Sequence, residues 1–161
     1  NVKSIQLVFN MFRQKPLDGF LKLAKEKKVA IIARGPLASG LLGGEFNKET
    51  KFAENDHRNY NINGEAFDIG DTFSGVNFLK GLKTVDKLKE ILPINYTMSQ
   101  LALKWILMHK AVTTVIPGAV SPRQVESNCK VSDLKDIGEK MTMIKKIYDD
   151  FIKMDVHQKW N

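Results

Sequence analysis

The spacing of apolar residues changes in a regular way along the chain. Ser4 to Asn10 (SIQLVFN) is a short apolar run closed by asparagine, as expected of a buried strand. LDGFLKLAKEKK follows, with Leu17, Phe20, Leu21 and Ala24 at helical spacing. A second continuous run, Val29 to Ala33, is too short for a helix and rich in β-branched residues. It leads into ARGPLASGLLGG, Ala33 to Gly44, which holds four glycines and a proline. So much glycine behind a strand reads either as a tight connection or as a cradle into which a ligand approaches the backbone. From Glu45 to Thr72 periodicity disappears, leaving isolated aromatics at Phe46, Phe52, Tyr60 and Phe67. An irregular excursion of this length within a compact domain is more often functional than idle.

Periodicity then returns. Val76, Leu79, Leu82, Val85, Leu88 and Ile91 or Leu92 form an amphipathic stripe that Pro93 stops. Thr97 and Gln100 have capping-box spacing and open a helix expected to bury Leu101, Leu103, Trp105 and Ile106. VTTVIPG, Val112 to Gly118, is a third short strand, and Ser121 before Pro122 starts another helix. The last thirty residues carry one more helix through Met141, Ile144, Ile147, Tyr148 and Phe151. Short buried strands alternating with amphipathic helices imply parallel β-α units, because a parallel pair needs a crossover of about a dozen residues. The fold class is therefore α/β. In such folds the ligand site lies at the carboxyl ends of the strands, here NMFR, RGPLASGLLGG and PGAVSPRQVESN.

Composition narrows the classes. A length of 161 residues with 43% apolar content fits one globular domain, or part of one, across residues 1–161. Lys and Arg number 25 against 18 acidic residues, giving +7, but segments such as LAKEKK and VDKLKE mix the signs. That is the pattern of a solvated face, so no nucleic-acid partner is expected. A single cysteine, Cys129, leaves no internal disulfide and no cysteine–histidine ligand pattern, which fits a reducing, cytoplasmic setting without a metal. No apolar run reaches the ~20 residues that cross a bilayer, so a soluble protein with no membrane partner is expected. The chain begins at Asn1, within strand-like sequence, and an upstream part is expected.

Several blocks, taken in order, carry a resemblance: Gln6 with Asn10, then IARGPLASGLLGG, KFAENDHR, SQLALKWIL and TTVIPGAVSPRQVESN. Together they resemble the carboxyl-terminal half of the aldo-keto reductase family. Within it, the branch containing the potassium-channel β subunits and bacterial stress-type reductases is most similar, its loop often reading RxPLAxGLLTGK. The resemblance implies a partial (β/α)8 TIM barrel, with the three strands as the sixth to eighth and the long loop after the seventh. It implies NAD(P)H-dependent reduction of a small-molecule carbonyl substrate. NADP(H) is the implied cofactor, NAD(H) the alternative, and no cofactor held by the partial barrel alone the third outcome.

Roles follow position by position from the resemblance. Gln6 matches the glutamine that hydrogen-bonds the nicotinamide carboxamide. Arg34 matches a position lying against the nicotinamide or the pyrophosphate, with a loop salt bridge as its competing reading. Gly35, Pro36, Leu37, Ala38 and Gly40 match the loop that wraps the pyrophosphate, and Arg58 matches a basic residue reaching the cofactor from the long loop. Gly118, Gln124 and Asn128 match positions around the adenosine end. Some positions depart from the family pattern. Gly43 and Glu45 stand for a hydroxyl residue and a lysine, Ser127 for a glutamate that contacts adenine, and Val120 for a polar or basic residue at the 2′-phosphate. A carboxylate near a phosphate costs on the order of a kcal/mol if the site is partly desolvated.

The family's tyrosine general acid, its lysine and aspartate and the substrate-orienting histidine come from the other half of the barrel, and no residue here matches them. His57, His109 and His157 are expected to be surface residues or helix-end cations, and Asp68 and Asp71 turn or cap residues. The implied partners are a missing amino-terminal half or a further copy associating through open barrel edges. The alternative function is a non-catalytic half-barrel that binds a nucleotide or a protein. Phe46 to Thr72 is expected to form part of the substrate lid.

Overall fold

A computed structural model describes residues 1–159. Three parallel strands form one sheet in the order β1 (Ser4–Val8), β2 (Ala30–Arg34), β3 (Thr114–Ile116). The register sets Gln6 beside Ile32 and Ile32 beside Thr114, then Val8 beside Arg34 and Arg34 beside Ile116. All three carboxyl ends therefore finish side by side at one edge of the sheet. Alternation along the strands divides its faces. Leu7, Ile31 and Ala33 are buried against helices, whereas Ser4, Gln6, Thr114 and Ile116, on the opposite face, are exposed.

The crossovers are helical, as the periodicity predicts. Lys15–Asp18 is a 3-10 turn with Pro16 in it, and α1 (Phe20–Glu26) follows. Between β2 and β3 come α2 (His57–Tyr60), α3 (Phe78–Lys89) and α4 (Met98–Leu107). After β3 lie α5 (Pro122–Cys129), α6 (Lys140–Phe151) and α7 (Lys153–Val156). The expected caps form. Thr97 accepts from the Gln100 amide while the Gln100 side chain accepts from the Thr97 amide, and Ser121 accepts from the Gln124 amide ahead of Pro122.

The core lies between the sheet and α4, which contributes Leu101, Ala102, Trp105 and Ile106, all 1% exposed or less. Phe9, at the end of β1, packs its ring 5.0 Å from that of Trp105. α3 lies on the glycine loop so closely that a Cβ at Gly81 would stand 2.4 Å from the Leu41 side chain. Its buried stripe is Leu82, Val85 and Leu88, but Leu79, expected on the same stripe, is 52% exposed. Helix α3 starts at Phe78, so Leu79 sits in its first turn and faces solvent. Phe20 and Phe151, also placed on apolar stripes by their spacing, are likewise exposed at helix ends.

Two histidines depart from the sequence reading. His157 is buried, with Nδ1 2.8 Å from the Tyr148 hydroxyl and Nε2 2.7 Å from Asp18 Oδ2, and fastens the chain's end to the turn before α1. Nothing in the linear spacing joins positions 139 residues apart. His109 follows α4, but its ring packs against Trp105 and Phe9, with centroids 4.6 and 5.1 Å away. Burial holds its imidazole down to about 4, so it is neutral at pH 7 and no helix-end cation. Because the neutral form is the one the fold accommodates, the resulting stabilisation is complete above the unfolded value of 6.5 and is lost as pH falls towards 4. Urea unfolding between pH 7 and pH 4 is expected to show this loss in the native protein, and a His109→Leu variant to show a flatter profile over the same range.

Candidate functional site

At the shared edge of the strand ends one side chain connects three segments. Asn10, fully buried just beyond β1, donates through Nδ2 to the Gly35 carbonyl and to Ser74 Oγ, both at 2.8 Å. Its Oδ1 accepts from the Phe12 amide at 2.9 Å. The end of β1, the start of the glycine loop and the turn before α3 are thus held by one amide, whose donor and acceptor ends are both used.

The loop itself is a run of left-handed backbone. Gly35, Ala38, Ser39, Gly40 and Gly44 have φ of 60°, 48°, 56°, 92° and 83°. Glycine bears such angles freely, whereas Ala38 and Ser39 carry strain that the surrounding contacts hold in place. Gly40 also answers a packing demand, because a Cβ there would lie 2.9 Å from the Phe46 ring. Internal backbone bonds use the amides of Ala38, Gly40, Leu41, Leu42, Gly43 and Gly44. The Leu37 and Ser39 amides are not among these.

Ser39 is where the long excursion folds back onto the loop. Its Oγ lies 3.1 Å from the Asp71 carbonyl, accepts from the Phe73 amide at 3.1 Å and stands 3.3 Å from His57 Nε2. Its carbonyl accepts from Arg58 Nη1 at 3.4 Å. Asp56 caps α2 through the Arg58 amide and also receives the Arg58 guanidinium on both oxygens, at 2.9 and 2.5 Å. That guanidinium holds the Asp56 carboxyl down to about 2. The same cation lies over the Phe52 and Phe46 rings, 4.6 and 5.7 Å from their centroids. His57 is part of this cluster, not an isolated surface residue.

Arg34, at the end of β2, donates to Asp71 at 2.9 Å, both side chains being about two-fifths exposed. The salt-bridge reading of Arg34 is therefore seen directly, and Asp71 is an ion-pair partner as well as a turn residue. Asp68 caps its turn through the Gly70 amide. Gln6 is exposed on the sheet face that also carries Arg34. Gly35, Pro36, Leu37, Ala38 and Gly40 run on from Arg34 along the chain, and Arg58 reaches this loop at the Ser39 carbonyl. Gly118 lies two residues past Ile116, the strand neighbour of Arg34, and a Cβ there would meet nothing within 4 Å. Gln124 donates its amide to Ser121 and accepts at Oε1 from the Val120 amide, 2.8 Å away. Asn128 is half-buried on α5. Glu45 is exposed, so water screens its charge, and Val120 is 93% exposed. Ser127 accepts from the Gln100 side chain at 3.5 Å.

Sequence reasoning missed the roles of Ser39, Asp56 and Asp71. Asp56 had a local signal, an aspartate at a helix start two residues before an arginine, but Ser39 and Asp71 meet only through folding. Among the described residues no group of three or more His, Cys, Asp or Glu could hold a metal ion, and no helix is long and apolar enough to cross a membrane.

Residues 1–149 match the aldo/keto reductase family. The chain belongs to that family. Aldo-keto reductase str7 of Strobilurus tenacellus is 29% identical over 153 residues, covering 92% of this chain and 43% of that protein. A probable voltage-gated potassium channel subunit beta of Arabidopsis thaliana is 30% identical over 133 residues, covering 78% of this chain and 37% of that protein. Among solved structures, the glycerol dehydrogenase AKR11B4 of Gluconobacter oxydans superposes with a TM-score of 0.71 at 26% identity, over 96% of this chain and 43% of that one. The holo form of the reductase AKR11C1 of Bacillus halodurans gives 0.63 at 25% identity, over 91% and 43%. This aldo-keto reductase chain thus spans about two-fifths of the relatives it matches.

Asn10 is expected to hold the site together. Replacing it by alanine orphans the buried Ser74 hydroxyl and Phe12 amide and frees the Gly35 carbonyl, and an Asn10→Ala variant should lose ~2–3 kcal/mol in urea unfolding with an unchanged m-value.

Proposed function

We propose that this aldo-keto reductase chain supplies the dinucleotide-binding part of an NAD(P)H-dependent carbonyl reductase. The carrying observation is that Arg34 leads directly into the left-handed loop Gly35–Gly40 at the strand ends, with the exposed amide of Gln6 on the same sheet face one register step below. The donor set fits a nicotinamide dinucleotide. Gln6 offers donor and acceptor to a carboxamide, Arg34 offers a cation to a pyrophosphate, and the loop offers the Leu37 and Ser39 amides. Arg58 braces that loop through the Ser39 carbonyl. Gly118, Gln124 and Asn128 form the adenosine end, where open backbone precedes the first turn of α5. When bound, the nicotinamide supplies the hydride that reduces a carbonyl. NADP(H) is the cofactor proposed, with NAD(H) as the alternative.

The described strand ends carry Asn10, Gly35 and Gly118, none of which can act as a proton donor with a tuned pKa. In this reading the proton reaches the substrate from the remainder of a (β/α)8 barrel, of which these strands are the sixth to eighth. In the same reading Phe46 to Thr72 forms part of the substrate lid. The open face of the sheet, with Gln6, Ile32 and Thr114 in one row, would point into the barrel interior, and the other strands would pair at the free edges of β1 and β3. A non-catalytic nucleotide- or protein-binding role remains the alternative, for which the similarity to potassium-channel β subunits is the supporting observation.

Calorimetric titration with NADPH is expected to give a saturable isotherm for this chain. Gln6→Ala and Arg34→Gln should each weaken it by about three- to tenfold while leaving the thermal midpoint unchanged. Failure of both substitutions to affect the isotherm would remove the assignment. Light scattering of the 161-residue protein is expected to show self-association through the open sheet edges, and a stable monomer would contradict that partner surface.

A further inference from the structure

The two arginines of the site hold their counter-charges differently. Arg58 is held at several points, with Nε and Nη2 on the two oxygens of Asp56, Nη1 on the Ser39 carbonyl, and a ring face below. Arg34 has a one-point contact with Asp71, and both side chains are well exposed. The Asp71 backbone is fixed, its carbonyl beside Ser39 Oγ and its amide donating to Asp68 at 3.0 Å. Only its carboxylate is free to turn. Asp71 also acts on a second cation, since its charge and that of Asp68 oppose the effect of burial on Arg13.

We propose that Asp71 is an internal stand-in for the ligand's anionic group, occupying Arg34 until a pyrophosphate displaces it, while the Asp56–Arg58 pair stays closed. This deepens the cofactor reading above and rests on it. An exposed one-point ion pair exchanges at little cost, whereas a bidentate pair braced on an aromatic face does not. Pyrophosphate brings several negative charges and many acceptor oxygens, so it outcompetes one carboxylate at a guanidinium. A simple monovalent anion does not. After exchange the Asp71 carboxylate remains within the field of Arg13. Every anion that displaces Asp71 meets the same cost, so Asp71 lowers their apparent affinities by a common factor and sets a threshold that only a strongly held anion such as pyrophosphate passes at low concentration.

The test titrates the 161-residue protein with inorganic pyrophosphate and, separately, with NADPH. Asp71→Asn is expected to bind pyrophosphate about two- to fivefold tighter than the native protein at low salt, with the gain shrinking as ionic strength rises. Asp56→Asn should show no gain and a lower thermal midpoint. As a second readout in the native protein, the Arg34 Nε–H NMR signal, identified by its loss in Arg34→Gln, should shift on adding pyrophosphate while that of Arg58 stays in place. An Asp71→Asn protein that binds no more tightly, or an unmoved Arg34 signal, overturns the proposal. If native protein, Gln6→Ala and Arg34→Gln all bind NADPH equally well, the cofactor reading itself falls. If they differ and Asp71→Asn gains nothing, only the stand-in falls.

Discussion

Three segments far apart in sequence can share one edge only if something joins them there, and the Asn10 side chain does this. Strand pairing brings the ends of β1 and β2 together but does not shape the chain beyond them. The amide does, by taking the Gly35 carbonyl and Ser74 Oγ as acceptors while serving the Phe12 amide. The bonds to Ser74 and Phe12 are buried and have no water to compete with them, so losing either would orphan a polar group. The path of the glycine loop, the return of the long excursion and the start of α3 all follow from this anchor. Ser39 then repeats the device one layer outward, at the surface.

The site is built in two grades of rigidity. Buried or bidentate contacts such as Asn10 with Gly35 and Asp56 with Arg58 fix the backbone, while the single contact of Arg34 with Asp71 leaves a cation adjustable. The strain at Ala38 and Ser39 belongs to the rigid grade, because left-handed alanine and serine persist only where neighbours over-determine them.

Much of the architecture could be read directly from the sequence. Periodicity located every strand and the longer helices, since apolar period and burial are two expressions of one geometry. Capping signals at Thr97 and Ser121 were local and reliable. Helix ends were less so. Leu79 and Phe151 fit their stripes by spacing, but first and last turns lie at the margin of the core. What spacing could not reach were pairings across distance, such as His157 with Asp18, Ser39 with Asp71, and the aromatic slot that neutralises His109. In the candidate site, the place of the loop directly behind β2 was legible from the order of the elements. The carboxylate partners of Arg34 and Arg58 were not, because an aspartate in an irregular segment has the same local sequence whether it caps a turn or neutralises a cation.

The division of the sheet into a packed face and an open one has an evolutionary consequence. Leu7, Ile31 and Ala33 carry the stability of the sheet, while Gln6, Ile32, Arg34 and Thr114 point the other way on the same strands. Substitutions can therefore accumulate on the second set without eroding the first. Such a scaffold is free to retune what it binds while its foldability stays under separate control, and lineages built on it can diverge in specificity long before they diverge in shape.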